Sequence, residues 1–335
     1  MKRQRPFLAI IIWFVILAAI GTRMHLDAID LPKFKDQQRL HHAIVTHTAP
    51  APYQFRVLQP IVVEITIRLS GTEPGTKMYK ILFLGIYAAI RFLSIFATFL
   101  AVFLALRLAW PDRTAALAST ALAAFIPFTY RYYYYQPTSV LEMAFFGLGL
   151  LATLSRRPAG LLPLVLLGTL NRETMCFIPY AYALYWLPQI RRSECTWLLL
   201  SAAAWVLVFL GLRLIWPTTE NLLDILKYLS RNLSVSVGNM DLLLMLSPAF
   251  LLLLGARRIP APYWRLASCC VPWLLLHFFT SMWHEIRYYM PALIWLMPGL
   301  VLVISSEDSE TKQRVDRPLV EQTGPRDGVP AARDP

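Results

Sequence analysis

Apolar residues in this chain run continuously over long stretches rather than alternating with polar ones. Alternation would suit barrel strands; unbroken runs predict helices that satisfy their own backbone hydrogen bonds. The first run is residues 7–21, after the basic start MKRQR. It resembles a secretory leader in composition but carries no small-x-small cleavage pattern, so the reading is an uncleaved first helix. Further runs lie at 81–106, 114–128, 138–154, 159–171, 174–190, 195–216, 241–255, 266–282 and 288–304. Several fall short of the roughly 20 residues that a full crossing needs. The pattern between 159 and 190 fits two short helices meeting at NRET or a re-entrant hairpin. The expected fold is all-α: a polytopic transmembrane bundle of about ten spans over residues 1–304.

Two stretches break the apolar pattern. Residues 22–80 form a long first loop, and 305–335 form a polar tail expected to be a disordered cytoplasmic extension. Within the loop, RVLQPIVVEITIRLSG is amphipathic, with Glu64 and Arg68 four residues apart so that they pair on one helix face. It is too charged to span and reads as an interfacial helix.

Composition sharpens this picture. Hydrophobic residues make up 57% of the 335, charged ones only 16%, well below the roughly 25% of soluble domains. The formal charge of +12 does not point to nucleic acid, because arginines cluster in short connections. Pairs occur at 156–157, 191–192 and 257–258, in alternate loops, as the positive-inside rule requires. Together with Lys2, Arg3 and Arg5 this puts the N-terminus in the cytoplasm of a multi-pass protein, most simply in a bacterial inner (plasma) membrane. The four cysteines lie in or beside apolar segments with no metal-binding spacing and read as small apolar side chains.

That topology sends every unusual polar cluster to the extracytoplasmic side. Asn171, Arg172 and Glu173 interrupt an apolar run, and ionisable groups at such depth are costly unless they serve a pocket or path. His284, Glu285 and Arg287 precede the last span. Tyr134 belongs to a tyrosine run that reads as an interfacial belt or as a stacking wall for a sugar ring or isoprenoid tail. The first loop supplies Asp27, Asp30 and Asp36, the last also readable as a helix N-cap. His41 and His42, being adjacent, point to different sides of a helix and make a poor metal pair. Arg56, beside Tyr53, is an anion contact. Arg91 lies within a span and needs a partner, for which Glu142 is the candidate. Arg213 sits where it can snorkel, and Asn232 opens a glycosylation sequon.

The layout of a short basic head, first span, long acidic loop and helical bundle, with YQFRVLQP, NRET and EIRYY, resembles GT-C-type membrane glycosyltransferases. The likeness covers about residues 1–304 in architecture more than in motif. It implies transfer of a sugar from a polyprenyl-phosphate donor on the outer face, with membrane lipid and the lipid-linked sugar as partners and no nucleic acid. By position, Asp36 or Asp30 would correspond to the catalytic acid; Glu173 is a third carboxylate able to take the acceptor's proton. Arg56, Arg172 and Arg287 would hold the donor phosphate, and Asn171, His284, Glu285 and Tyr134 would line the substrate. The cofactor is left open, a divalent cation on oxygen ligands being the one considered; no metal-ligand set is assigned. The chain departs from the family in its first loop, where the nearest acids, Asp27 and Asp30, are not adjacent, and in carrying no large periplasmic domain after the spans. Two other classes stay open: a transporter or flippase for a lipid-linked or anionic substrate, with Arg91 and the broken 159–190 segment lining its path, and a non-catalytic membrane assembly subunit.

Overall fold

A computed structural model describes residues 4–130, 138–216, 229–230, 232–234, 240–281 and 286–305. Those residues are mostly helical, with no strand among them. The helices are α1 (Gln4–His25), α2 (Phe34–Val45), α3 (Leu58–Leu69), α4 (Lys77–Leu106), α5 (Asp112–Ala121), α6 (Thr138–Leu154), α7 (Leu161–Asn171), α8 (Phe177–Trp186), α9 (Arg192–Ile215), α10 (Met240–Leu254), α11 (Ala261–Ser268), α12 (Cys270–Thr280) and α13 (Met290–Ser305). Every apolar run of the sequence contains a helix. The stretch at 159–190 resolves into two short helices joined at NRET, as one of its two readings has it.

Among the described residues, three helices are long and apolar enough to cross a membrane: Pro6–Asp30, Lys77–Leu106 and Arg192–Ile215. The first and third bury little of themselves and expose Leu8, Ile12, Ile16, Leu199, Leu207 and Leu214. Apolar surface of that extent suits hydrocarbon rather than water. Thr138–Leu154, Pro158–Asn171 and Met290–Ser305 are apolar but shorter.

The structure corrects several boundaries. The first helix does not stop near residue 21. It continues through a wider π-type turn, Leu26–Asp30, so Asp27 and Asp30 ride on the end of a helix rather than in a loop. The segment expected at 114–128 ends its α-helix at Ala121 and goes on in tighter 3-10 turns. The segment at 266–282 begins earlier, at Ala261, and is divided at Cys269, which places Arg265 inside a helix and not in a loop.

Local chemistry accounts for the ends of the two longest helices. Thr76 caps α4 by accepting from the Tyr79 N–H at 3.1 Å. At the start of α9, Glu194 accepts from the Arg191 N–H at 2.9 Å and takes the Arg156 guanidinium at 2.6 Å, tying α6 to α9. α4 is the central element, packed against α1 and α6. Phe14 stacks on Phe99 at 5.7 Å, and Phe146 meets Trp295 at 4.8 Å and Trp273 at 5.1 Å. Close approach of α6 to α8 requires a glycine: a Cβ on Gly149 would stand 2.6 Å from Ile178 Cγ2.

Candidate functional site

Two ionic centres form at one end of the bundle, where α1, α7 and α9 finish and α4 and α6 begin. Side-chain bonds stitch that end together. Gln59 of α3 donates to Asn171 Oδ1 at 3.0 Å, Asn171 donates to the Thr138 carbonyl at 2.9 Å, and Gln54 donates to the Trp216 carbonyl at 3.4 Å.

The first centre lies between α1 and α4. Arg91 grips Asp30 through both terminal nitrogens, at 2.5 and 3.3 Å, and both side chains are fully buried. His25 Nδ1 lies 3.3 Å from the same carboxylate, and Tyr130 sets its ring against His25 at 4.7 Å while donating to the Gly21 carbonyl at 2.6 Å. This corrects the expected Arg91–Glu142 pair. The extension of α1 carries Asp30 to the α4 face on which Arg91 lies, so Arg91 is paired before α6 is reached, although its Nε has no hydrogen-bond partner among the described residues. A polar thread leads from this region to the surface. Tyr87 contacts His41 Nδ1 at 2.9 Å, His41 Nε2 lies 3.4 Å from Glu64, and Glu64 accepts from Arg68 at 2.7 Å. The Glu64–Arg68 pair is the one its spacing calls for, and His41 is buried while its neighbour His42 is exposed, facing different ways as expected.

The second centre grows from the NRET junction. Arg172 is in extended conformation (φ −158°, ψ 143°), which ends α7 and turns the chain into a short 3-10 turn, Glu173–Cys176. The break throws Arg172 and Glu173 to different partners. Arg172 pairs with Glu142, whose other oxygen accepts from the Thr174 hydroxyl at 2.5 Å. Glu142 therefore serves this centre, not Arg91. Glu173 Oε1 lies 3.7 Å from Arg56, and its carbonyl accepts from the Trp205 indole at 2.7 Å. Aromatic faces cover the cations. Tyr288 lies under both Arg172 (5.2 Å) and Arg287 (4.7 Å), Tyr53 under Arg56 (5.2 Å), and Phe55 and Phe209 sandwich Arg213 at 4.3 and 3.6 Å. Arg287 also donates to the Tyr288 hydroxyl at 2.8 Å, and His277 stacks on that ring at 4.4 Å.

The electrostatics are uneven. Three guanidiniums, Arg56, Arg172 and Arg287, gather near two carboxylates, Glu142 and Glu173. Arg172 is matched by Glu142, but Arg56 is only 5% exposed and its ion pair is long. Among the described residues its Nε has no hydrogen-bond partner, nor do Arg172 Nε, Glu173 Oε2 and Gln59 Oε1. Burial and the neighbouring Arg172 both pull the Arg56 pKa down. Burial by itself would raise the Glu173 carboxyl, but Arg56 and Arg172 overcome that and hold it below its ordinary 4.5, so it stays ionised. The Glu173 side chain keeps 30% of its surface exposed, although its Oε2 atom is buried.

Of the expected site residues, Asn171, Arg172, Glu173, Arg56 and Arg287 are thus brought into one centre. Asp30 belongs to the other. Asp36 is in neither: it is not a cap but the third residue of α2, paired with Arg39 on that helix's exposed face. Tyr134, His284 and Glu285 lie outside the described residues. No three His, Cys, Asp or Glu side chains come together among the described residues, so these offer no ready-made holder for a divalent cation. Gln59, His277 and Tyr288 were not singled out by sequence. Gln59 and His277 are polar residues in apolar helical runs, the signal that could have found them. Comparison with protein-family models, curated proteins and solved structures finds no match for this chain.

Proposed function

We propose that this chain is a multi-pass membrane glycosyltransferase that moves a sugar from a polyprenyl-phosphate donor to an acceptor on the extracytoplasmic face. The observation that carries the reading is Arg56. It is a buried guanidinium with one long ion pair and an unbonded Nε, set beside Arg172 and an ionised, partly open Glu173. A buried cation so poorly matched is stabilised by an incoming anion, and guanidinium suits phosphate oxygens in particular. The alternate arginine-rich connections favour the cytoplasm for the opposite end of the bundle, which leaves this centre at the outer boundary. On this reading the shorter apolar helices complete about ten crossings.

The transfer then runs as follows. The donor phosphate sits on Arg56 and Arg172, with Arg287 alongside. As the bond from the sugar's anomeric carbon to the phosphate oxygen breaks, the guanidiniums neutralise the charge that develops on the leaving phosphate. The acceptor hydroxyl forms the new bond and gives its proton to Glu173. Held low by two arginines, Glu173 is a weak base in the empty site. A bound phosphate shares those arginines and restores part of its basicity, so the base strengthens when donor is present. Asn171, positioned by Gln59 and Thr138, stiffens the junction that carries both Arg172 and Glu173. Arg91 is occupied by Asp30, which takes from the transporter reading one of the two features on which its path was drawn, the broken 159–190 segment being the other.

The test is turnover of a polyprenyl-phosphate sugar by the full chain reconstituted in lipid. Glu173→Gln is expected to slow transfer about 100-fold or more, and Arg56→Gln to raise the KM for the donor, while Asp36→Asn leaves both unchanged. Undiminished activity in both Glu173→Gln and Arg56→Gln would overturn the assignment.

A further inference from the structure

A groove of about 280 Å³ lies between α2, α3 and the end of α9. Its walls are Ile44, Val45, Val57, Ile61, Ile65 and Trp216, with the paired Glu64 and Arg68 at the rim. We infer that this groove holds the hydrocarbon chain of a lipid phosphate, the segment next to the headgroup, while the phosphate rests on the Arg56 centre. The inference rests on the anion-binding part of the proposed function and adds to it where the lipid lies and what bounds it.

Three observations converge on that occupant. The groove adjoins the cationic centre in the chain: Val57, a wall residue, follows Arg56 directly. The end of α9 is bound to the same segment, because Gln54 donates to the Trp216 carbonyl, and Arg213, one turn earlier, covers Phe55. An anionic head at Arg56 would therefore have a wall residue of the groove next to it in the chain. Second, α3 leaves Ile61, Val62, Ile65 and Leu69 uncovered, and the ridge goes on into Met78 and Ile81 at the start of α4. A chain leaving the groove thus finds an apolar surface that leads to the hydrocarbon of the membrane. Third, the groove has a built end wall. His47 adopts the left-handed backbone region (φ 58°) and lays its ring on Trp216 at 4.0 Å and 18°. Left-handed backbone is uncommon for a residue with a side chain. Here it swings the ring across the groove and sets where the lipid chain must turn.

The experiment uses the full chain in nanodiscs with farnesyl phosphate carrying a photoreactive diazirine on its tail. The matching alcohol and inorganic phosphate are the comparison probes. Adducts are expected on the segments around Ile61, Ile65 and Trp216, competed by unlabelled farnesyl phosphate and weak for the alcohol. Filling the groove with Ile61→Trp is expected to weaken farnesyl phosphate binding about tenfold without changing the binding of inorganic phosphate. The milder Ile65→Gln, at an exposed position, is expected to act in the same direction. Adducts spread evenly over the lipid-facing sides of α1 and α9 would overturn the inference. So would wild-type farnesyl phosphate binding in both variants. Groove labelling with no sugar turnover would sink the transferase reading and leave this one standing. Turnover unchanged in Ile61→Trp would do the reverse.

Discussion

The two ionic centres share one end of the bundle and the same residue types, yet they are built to opposite purposes. At Asp30–Arg91 one carboxylate faces one guanidinium through two hydrogen bonds, both fully buried, with His25 against the same carboxylate. At Arg56–Arg172–Glu173 the matching is lopsided: Arg172 is paired with Glu142, Arg56 makes one ion pair among the described residues, at 3.7 Å, and the Glu173 side chain is 30% exposed. A matched buried pair fixes how two helices sit. A mismatched one costs stability and is retained where something else supplies the missing charge. That contrast, more than the number of arginines, separates a strut from a site.

The largest effect expected from this difference is on stability. Arg91→Met leaves the Asp30 carboxylate buried and unpaired and is expected to cost about 3–5 kcal/mol, read as a large drop in thermal midpoint in detergent. Replacing both partners, Asp30→Leu with Arg91→Met, is expected to recover most of that loss. Arg56→Met removes a poorly matched cation instead, and its midpoint should stay near the wild type. Equal destabilisation by Arg91→Met and Arg56→Met would erase the distinction between the centres.

Anion binding sharpens it from the other side. Trp205 donates to the Glu173 carbonyl and so reports on the second centre. Titrating a short-chain isoprenyl phosphate while following tryptophan emission is expected to show binding weakened about 10–100-fold in Arg56→Gln. The Asp30→Leu/Arg91→Met double variant is expected to bind as the wild type does. A loss in the double variant with none in Arg56→Gln would assign the anion to the wrong centre.

Periodicity made the helices legible, and the single amphipathic stretch made α3 and its Glu64–Arg68 pair legible too. NRET stood out because ionisable residues interrupt an apolar run, and the structure does place them at a junction. Pairing was not legible. Arg91 and Glu142 looked like partners because each stood alone in its span. Choosing between Asp30 and Glu142 depends on how far α1 continues and which face of α4 meets it. That is a packing property with no signature in local pattern. Asp36 misled for a related reason: an acid before a helical stretch looks like a cap, but the helix begins two residues earlier and the side chain settles on Arg39. Gln59 and Asn171 lie far apart in sequence, and only the crossing of α3 over the end of α7 makes them partners.

The smallest expected effect concerns the thread that joins the closed centre to water. His41 is faced by Tyr87 and the Phe83 ring from α4, by Glu64 from α3, and by its neighbour His42. Burial lowers its pKa below the ordinary 6.5, and the pull of Glu64 only partly opposes this. A depressed folded-state value means the neutral ring is the stabilised form. Its contribution is complete above about pH 6.5 and is lost as pH falls toward the lower folded value. Glu64 is also depressed, below 4.5: burial would raise it, and Arg68 and His41 more than offset that. Its own contribution is present above about pH 4.5 and is lost as pH falls below that. The wild type is expected to lose thermal stability as the pH falls below about 6.5. His41→Gln, which keeps a polar contact to Tyr87 but cannot take up a proton, is expected to be flat until the Glu64 window and to fall only there. Identical slopes in the two proteins would mean that His41 titrates freely in water. The closed centre would then be open at its surface end, and the contrast with the arginine site would weaken from that side.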